Sequence, residues 1–95
     1  MKKHLNIKVF GRVQGVFFRV SAKEEAEKLG ITGFAKNEKD GSVLIEAEGE
    51  EKELDQFLAW CKMGPNLAKV DKIEIKSGPL KNFKTFDRDF KDYPD

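Results

Sequence analysis

The chain has 95 residues, 39% of them hydrophobic and 37% charged, and a net charge of only +1. This length suits a single domain over residues 1–95, large enough to bury a core without metal or disulfide support. The near-neutral charge argues against nucleic acid as a partner. We also expect no membrane partner, because no run approaches the ~20 apolar residues that cross a bilayer.

One cysteine and one histidine bear on compartment and metal binding. Cys61 has no second cysteine with which to form an internal disulfide, which favours a reducing compartment. The basic N-terminus is not followed by the apolar core of a signal peptide, so we expect a cytoplasmic protein. Cys61 falls on an apolar helix stripe and is expected to be a buried, inert thiol. His4 lacks partners for a metal site and is expected to be a polar residue at an edge of the first strand.

Alternating apolar residues predict a half-buried strand over His4–Phe10. The glycine-containing segment Gly11–Arg19 follows it. Apolar residues at helical spacing then predict a helix that ends at Gly30, where glycine can adopt the left-handed cap.

The start of this first helix is open between two residues. Ser21 and Glu24 form a capping-box pattern, which would begin the helix at Ser21. A start near Val16 would instead place the helix N-terminus over the glycine segment. We favour the Val16 start, because Phe17 and Phe18 need burial and a helix there would provide it.

Two strands are predicted over Thr32–Lys36 and Ser42–Glu48, joined by a turn that contains the Asp40-Gly41 pair typical of hairpins. Gly49 is expected to end the second of these strands. An acidic segment then begins a second helix, which Gly64-Pro65 stops.

A fourth strand is predicted over Val70–Ile75, with Ile73 and Ile75 pointing inward. The final segment, with Phe83, Phe86 and Phe90, has a weak strand signal and is read as an edge strand or a frayed end. The order β-α-β-β-α-β predicts an α+β, ferredoxin-like sandwich, with an antiparallel sheet and two helices on one face.

The Gly11-x-x-x-Gly15 spacing followed by Arg19 indicates an anion site between a strand and a helix. Backbone N–H groups and a helix N-terminus favour an anion, and an arginine fork matches phosphate geometry. The segment lacks the lysine and Ser/Thr of a nucleotide-binding P-loop, which argues against ATP or GTP. On residue chemistry alone, Gln14 is a loop residue whose backbone matters more than its amide, and Arg12 is a solvated charge. Asn37 is equally well a turn residue.

Two longer motifs carry a resemblance to a known family. They are Gly11-x-Val13-Gln14-Gly15-Val16-x-Phe18-Arg19 and Gly33-Phe34-x-Lys36-Asn37-x-x-x-Gly41-x-Val43, the second being followed by Gly49. In this order and separation they resemble the paired signatures of the acylphosphatase family. Gly64-Pro65-x-x-Ala68-x-Val70 is similar to the helix exit of that family.

The resemblance implies a metal-free, cofactor-free enzyme that hydrolyses acyl phosphates to a carboxylate and inorganic phosphate. It implies that Arg19 binds the phosphate and that Asn37 orients the attacking water. The phosphate cradle would be the backbone of Arg12, Val13, Gln14, Gly15 and Val16. We expect a monomer acting on a small acyl phosphate, and no residue identifies the acyl group.

Two other functions compete with this one. The first is a non-catalytic phosphate- or anion-binding module on the same fold, like the acylphosphatase-like domains of hydrogenase-maturation proteins. The second is a ferredoxin-like RNA-binding module, which is disfavoured because the central strands show Phe34 but no paired exposed aromatic.

Overall fold

The computed structural model describes residues 1–88, which form one five-stranded sheet with two helices. The strands are β1 Lys2–Arg12, β2 Thr32–Asn37, β3 Val43–Glu50, β4 Lys69–Gly78 and β5 Phe86–Asp87. The helices are α1 Phe18–Lys28 and α2 Glu51–Met63. The strand order is β4-β1-β3-β2-β5; β5 runs parallel to β2, and the other pairs are antiparallel. The predicted ferredoxin-like sandwich is confirmed, with a short parallel strand added at one edge.

The core lies between the sheet and the helices. The apolar side chains on one face of the sheet pack there against the apolar faces of the two helices. In the β1–β3 register Ile7 lies opposite Ile45 and Val9 opposite Val43, and all four are fully buried. The helix residues that close this core are Phe18, Ala22, Ala26, Leu54, Phe57 and Cys61. Burial raises the pKa of the Cys61 thiol, which keeps it protonated and confirms the expected inert thiol.

Helix α1 begins at Phe18, close to the favoured Val16 and ahead of Ser21. Ser21 lies inside the helix, where its backbone N–H donates to Phe17 O at 3.1 Å, so the capping-box start is wrong. The burial argument holds for Phe18, which is 1% exposed, but fails for Phe17, which is 68% exposed. The start of the helix therefore depends on burying one phenylalanine rather than two.

The second half of the chain differs from expectation at two places. Gly49 does not end β3, because the strand runs on to Glu50 and α2 starts at the next residue. Ile75 lies opposite Ile7 and so shares its face, but it is 43% exposed because β4 is the outermost strand. Phe86 is 2% exposed in β5, which confirms an edge strand there, whereas Phe90 lies outside the described residues.

The segment between β4 and β5, residues 79–85, crosses the sheet face opposite the helices; we call it the strap. Its Phe83 ring stacks on His4 at 5.9 Å and meets the edge of Phe34 at 5.8 Å. The backbone N–H groups of Lys81 and Phe83 donate to the Glu48 carboxylate. The chain itself thus covers the part of the open sheet face around His4, Phe34 and Glu48.

His4 is not at an edge, because β1 lies between β4 and β3 and the side chain is 2% exposed. Its Nδ1 is 2.7 Å from Glu48 Oε2, and Nε2 is 3.2 Å from Glu46 Oε1. Burial acts to raise the pKa of Glu48, but hydrogen bonds from Lys81, His4 and Phe83 outweigh it and lower that pKa. The buried Glu48 carboxylate therefore holds the strap against the sheet through the backbone N–H groups of Lys81 and Phe83.

Candidate active site

The glycine segment begins where β1 changes register against β4, at a bulge between Phe10 and Gly11. A Cβ on Gly11 would lie 2.2 Å from Lys69 O, so only glycine allows β4 to approach there. Gly15 has a φ of +74° in open space, so it is required for its backbone conformation rather than for room. The two glycines of the motif therefore serve different purposes: one fits the sheet and the other turns the loop.

Phe17 is the residue at which the loop becomes a helix, and it adopts φ 66° and ψ 24°. This left-handed conformation costs a residue other than glycine on the order of 1–3 kcal/mol. The turn at Phe17 directs the Phe18 side chain into the core, and α1 starts immediately after it. The first N–H groups of a helix have no partner inside it, so the α1 N-terminus offers donors and a positive dipole end.

The Gln14 side chain joins this loop to the β2–β3 hairpin. Its Nε2 donates to Glu38 O at 2.7 Å and to Ser42 O at 2.9 Å. The expectation that the backbone of Gln14 matters more than its amide is therefore wrong, because the amide bonds to the hairpin and so joins the two motifs. The sequence predicted the hairpin itself. It did not indicate that Gln14 would lie against this hairpin.

The hairpin itself is closed by Asp40, as the Asp40-Gly41 pair predicted. Asp40 Oδ1 accepts the backbone N–H of Ser42 at 2.9 Å, and Lys8 Nζ lies 3.1 Å from Oδ2. Hydrogen bonds from Ser42 and Lys8 lower the pKa of Asp40 to about 2. Asn37, the last residue of β2, is held at the start of this turn, opposite Val43.

Arg19 and Asn37 line one cavity of about 210 Å³ between the glycine loop and the hairpin. The described lining residues are Val13, Gly15, Phe17, Phe18, Arg19, Val20, Asn37 and Arg88. They include two arginines and no carboxylate, which favours an anionic occupant. The structure thus brings together the two side chains that the resemblance singled out.

The remaining predicted loop residues lie around the cavity rather than on its described lining. Val16 is 9% exposed and belongs to the core, and Gln14 is committed to the hairpin. Arg12 is exposed at the end of β1, as expected for a solvated charge. For Val16 and Gln14, any contribution to a bound anion would therefore come from the backbone.

Arg88 is a site residue that the sequence did not indicate. Its backbone oxygen accepts a hydrogen bond from Arg19 Nη1 at 3.0 Å. It reaches the cavity because β5 pairs with Gly33 and Phe34 of β2 and runs parallel to that strand, toward Asn37. The weak strand signal of the C-terminal segment could not reveal this, since the pairing is between distant parts of the chain.

Known proteins of similar sequence show to which family this chain belongs. The sequence model of the acylphosphatase family matches residues 5–91. An acylphosphatase from Archaeoglobus fulgidus is 47% identical over 83 residues, covering 87% of this chain and 93% of that protein. The chain belongs to the acylphosphatase family. It is an enzyme that hydrolyses acyl phosphates, as the resemblance implied.

Solved structures agree with this assignment. The crystal structure of an acylphosphatase from Bacillus subtilis superimposes with a TM-score of 0.89 at 37% identity, covering 95% of this chain and all of that one. Full-length HypF in a phosphate- and nucleotide-bound form matches with a TM-score of 0.87 at 32% identity. That match covers 93% of this chain but only 12% of HypF, so the same domain also occurs inside a much larger protein.

Within residues 1–88, neither helix has the length and apolar content needed to span a bilayer.

Proposed function

We propose that Arg19 and the backbone N–H groups of the loop hold the phosphoryl group, and that Asn37 orients the attacking water. The observation that carries this proposal is the shared cavity, which is lined by the half-buried Arg19, by Gly15 and by Asn37. Phosphoryl transfer needs mainly positioning and stabilisation of charge on the equatorial oxygens. A planar cation and a helix N-terminus supply both.

In the proposed reaction the water oxygen forms a bond to phosphorus while the bond from phosphorus to the carboxylate oxygen breaks. The carboxylate leaves with the electron pair, and a phosphate oxygen takes the proton from the water. The Asn37 side chain carries both a donor and an acceptor, which suits it to orient a water molecule rather than to deprotonate it. The described cavity lining contains no histidine or carboxylate, and this scheme requires neither.

The hydrogen bond from Arg19 to the Arg88 oxygen supports a preorganised cation. An arginine already held in place loses less conformational freedom when it binds phosphate. Electrostatic groups fixed before the reaction contribute most to stabilising the charge that develops during it. We therefore assign to β5 the task of aiming Arg19.

The same proposal extends to the oligomeric state, to nucleic acid as a partner and to the location of the protein in the cell. We expect a monomer to be the working unit, because the fold of one chain is enough to bring Arg19 and Asn37 to the same cavity. Phe34 is 6% exposed beneath Phe83, so it is no stacking platform for nucleic acid. The single cysteine is buried and reduced, which is consistent with a cytoplasmic protein.

The test is turnover of acetyl phosphate and benzoyl phosphate in the presence of a chelator. We expect hydrolysis by the parent protein, and a loss of about 10²–10³-fold in kcat/KM for Arg19→Gln, because the charge on the equatorial oxygens loses its partner. Inhibition by inorganic phosphate should weaken in parallel. Lys28→Gln, which removes an exposed cation from the far end of the same helix, is the matched control. Tight phosphate binding without turnover by the parent would favour the anion-binding module instead.

A further inference from the structure

Phe17 is an exposed aromatic ring on the rim of the cavity. It is 68% exposed, although it directly precedes a phenylalanine that is 1% exposed. It also holds the left-handed φ of 66°, a conformation for which glycine, asparagine or aspartate would be better suited. Neither burial nor local conformation explains a phenyl side chain at this position. Costly backbone conformations of this kind cluster where a site is built.

The described lining of the cavity combines two kinds of side chain. Arg19 and Asn37 are polar, whereas Phe17, Val13 and Val20 are apolar. Given the proposed function, the phosphoryl group contacts the polar side chains, and the acyl group joined to it through one oxygen is left to contact the apolar ones.

The size of the cavity limits what it encloses. Its volume of about 210 Å³ is below the roughly 300–1,000 Å³ of pockets that surround drug-sized ligands. The cavity therefore suits a small ligand. An acyl group that extends past the opening of the cavity would lie against the exposed Phe17 ring.

We propose that Phe17 is the acyl-binding residue and that the enzyme prefers acyl phosphates whose acyl group is flat and apolar. The exposed ring offers a face for stacking, and covering it removes apolar surface of both partners from water. Selectivity would then come from the rim, while the catalytic groups act only on the phosphoryl end. This inference rests on the proposed placement of the phosphoryl group at Arg19.

The test compares kcat/KM for benzoyl phosphate and acetyl phosphate in the parent, Phe17→Gly and Phe17→Asn. Both replacements accept the left-handed conformation, so the loop and the fold should survive. We expect the benzoyl-to-acetyl ratio of kcat/KM to fall about threefold to tenfold in both variants, through a higher KM for benzoyl phosphate. Inhibition by inorganic phosphate should not change.

Leu67→Asn is the matched control, because Leu67 is a comparably exposed apolar side chain, at 62%, outside the described lining of the cavity. Its ratio should equal that of the parent. A ratio unchanged in both Phe17 variants, or equal losses on the two substrates, would overturn the role of Phe17 while leaving the proposed function intact. Absence of turnover of either substrate by the parent would overturn the proposed function and this inference with it.

Discussion

At the scale of single residues, Gln14 provides the contact that joins the two motifs. Its amide donates to Glu38 O and Ser42 O and so ties the glycine loop to the hairpin that begins after Asn37. The relative position of Arg19 and Asn37 therefore depends on a side chain that itself lies outside the described lining of the cavity. Small displacements of groups that act on one reacting centre are costly to catalysis.

We expect Gln14→Ala to lower kcat about tenfold to hundredfold, because the loop and the hairpin would no longer be held in register. Stability should fall by only about 1–2 kcal/mol, the cost of two carbonyls losing their donors at a partly buried position. Steady-state kinetics and urea unfolding measure the two effects. Gln56→Ala, an exposed glutamine on α2, is the control. Full activity in Gln14→Ala would show that Gln14 does not position the site.

The sequence singled out Arg19 and Asn37 through the resemblance of two motifs to those of the family, and the structure brings both residues to one cavity, while their roles stay a prediction. The sequence was not enough for Phe17 and Arg88. The exposure of Phe17 depends on the exact residue at which α1 begins, and two competing signals left that residue open. Arg88 enters the cavity only through pairing of β5 with β2, which no local pattern encodes.

At the scale of elements, the junction of β1 and β4 fixes where the glycine loop leaves the sheet. Gly11 sits at the bulge, with a Cβ position 2.2 Å from Lys69 O and 2.8 Å from Asp71 N. Both of these are backbone atoms of β4, so neither can yield by rotating a side chain. The edge strand would have to separate from β1 to admit any larger residue.

We predict that Gly11→Ala destabilises the protein by about 2–4 kcal/mol, because a steric clash adds to the cost of a positive φ. Gly41→Ala is the matched control: its φ is +92°, but nothing lies within 4 Å of its Cβ position. It should cost only about 1 kcal/mol. Urea unfolding measures both variants, and equal losses would contradict a clash with β4.

Strand and helix patterns predicted the main elements, since alternation and helical spacing are properties of neighbouring residues. They failed where burial depends on position in the sheet. Ile75 has the alternation of a core residue but sits on the outermost strand, and His4 has the polarity of an edge residue but sits on a central one. Strand order, which decides both, is a long-range property.

At the scale of the whole molecule, the strap connects the covered part of the open sheet face to the candidate active site. Glu48 holds the strap at one end. β5 follows the strap, and the next residue, Arg88, accepts the hydrogen bond from Arg19. Folding thus makes the C-terminal part of the described chain a component of the site. The order of strands and helices predicts the fold class. The contact between Arg88 and Arg19 could not be predicted from that order.

The lowered pKa of Glu48 predicts how stability changes with pH. A carboxyl whose pKa is depressed on folding stabilises the protein fully above its ordinary pKa of 4.5, and this stabilisation is lost as the pH falls below that value. We expect Glu48→Gln to be less stable than the parent at about pH 7, and the difference to shrink toward ~pH 3. Thermal unfolding across this range measures it. A difference that does not vary with pH would show that the charge of Glu48 is not involved.

The most direct measurement of the central assignment is the inhibition constant of inorganic phosphate, taken with kcat, in Asn37→Ala. If Arg19 and the loop bind the phosphoryl group and Asn37 only orients water, kcat should fall about 10²-fold or more while phosphate inhibits as it does in the parent. Asn66→Ala, an exposed asparagine beyond α2, should change neither value. Near-full activity of Asn37→Ala, or loss of phosphate inhibition together with activity, would contradict the division of roles between Arg19 and Asn37.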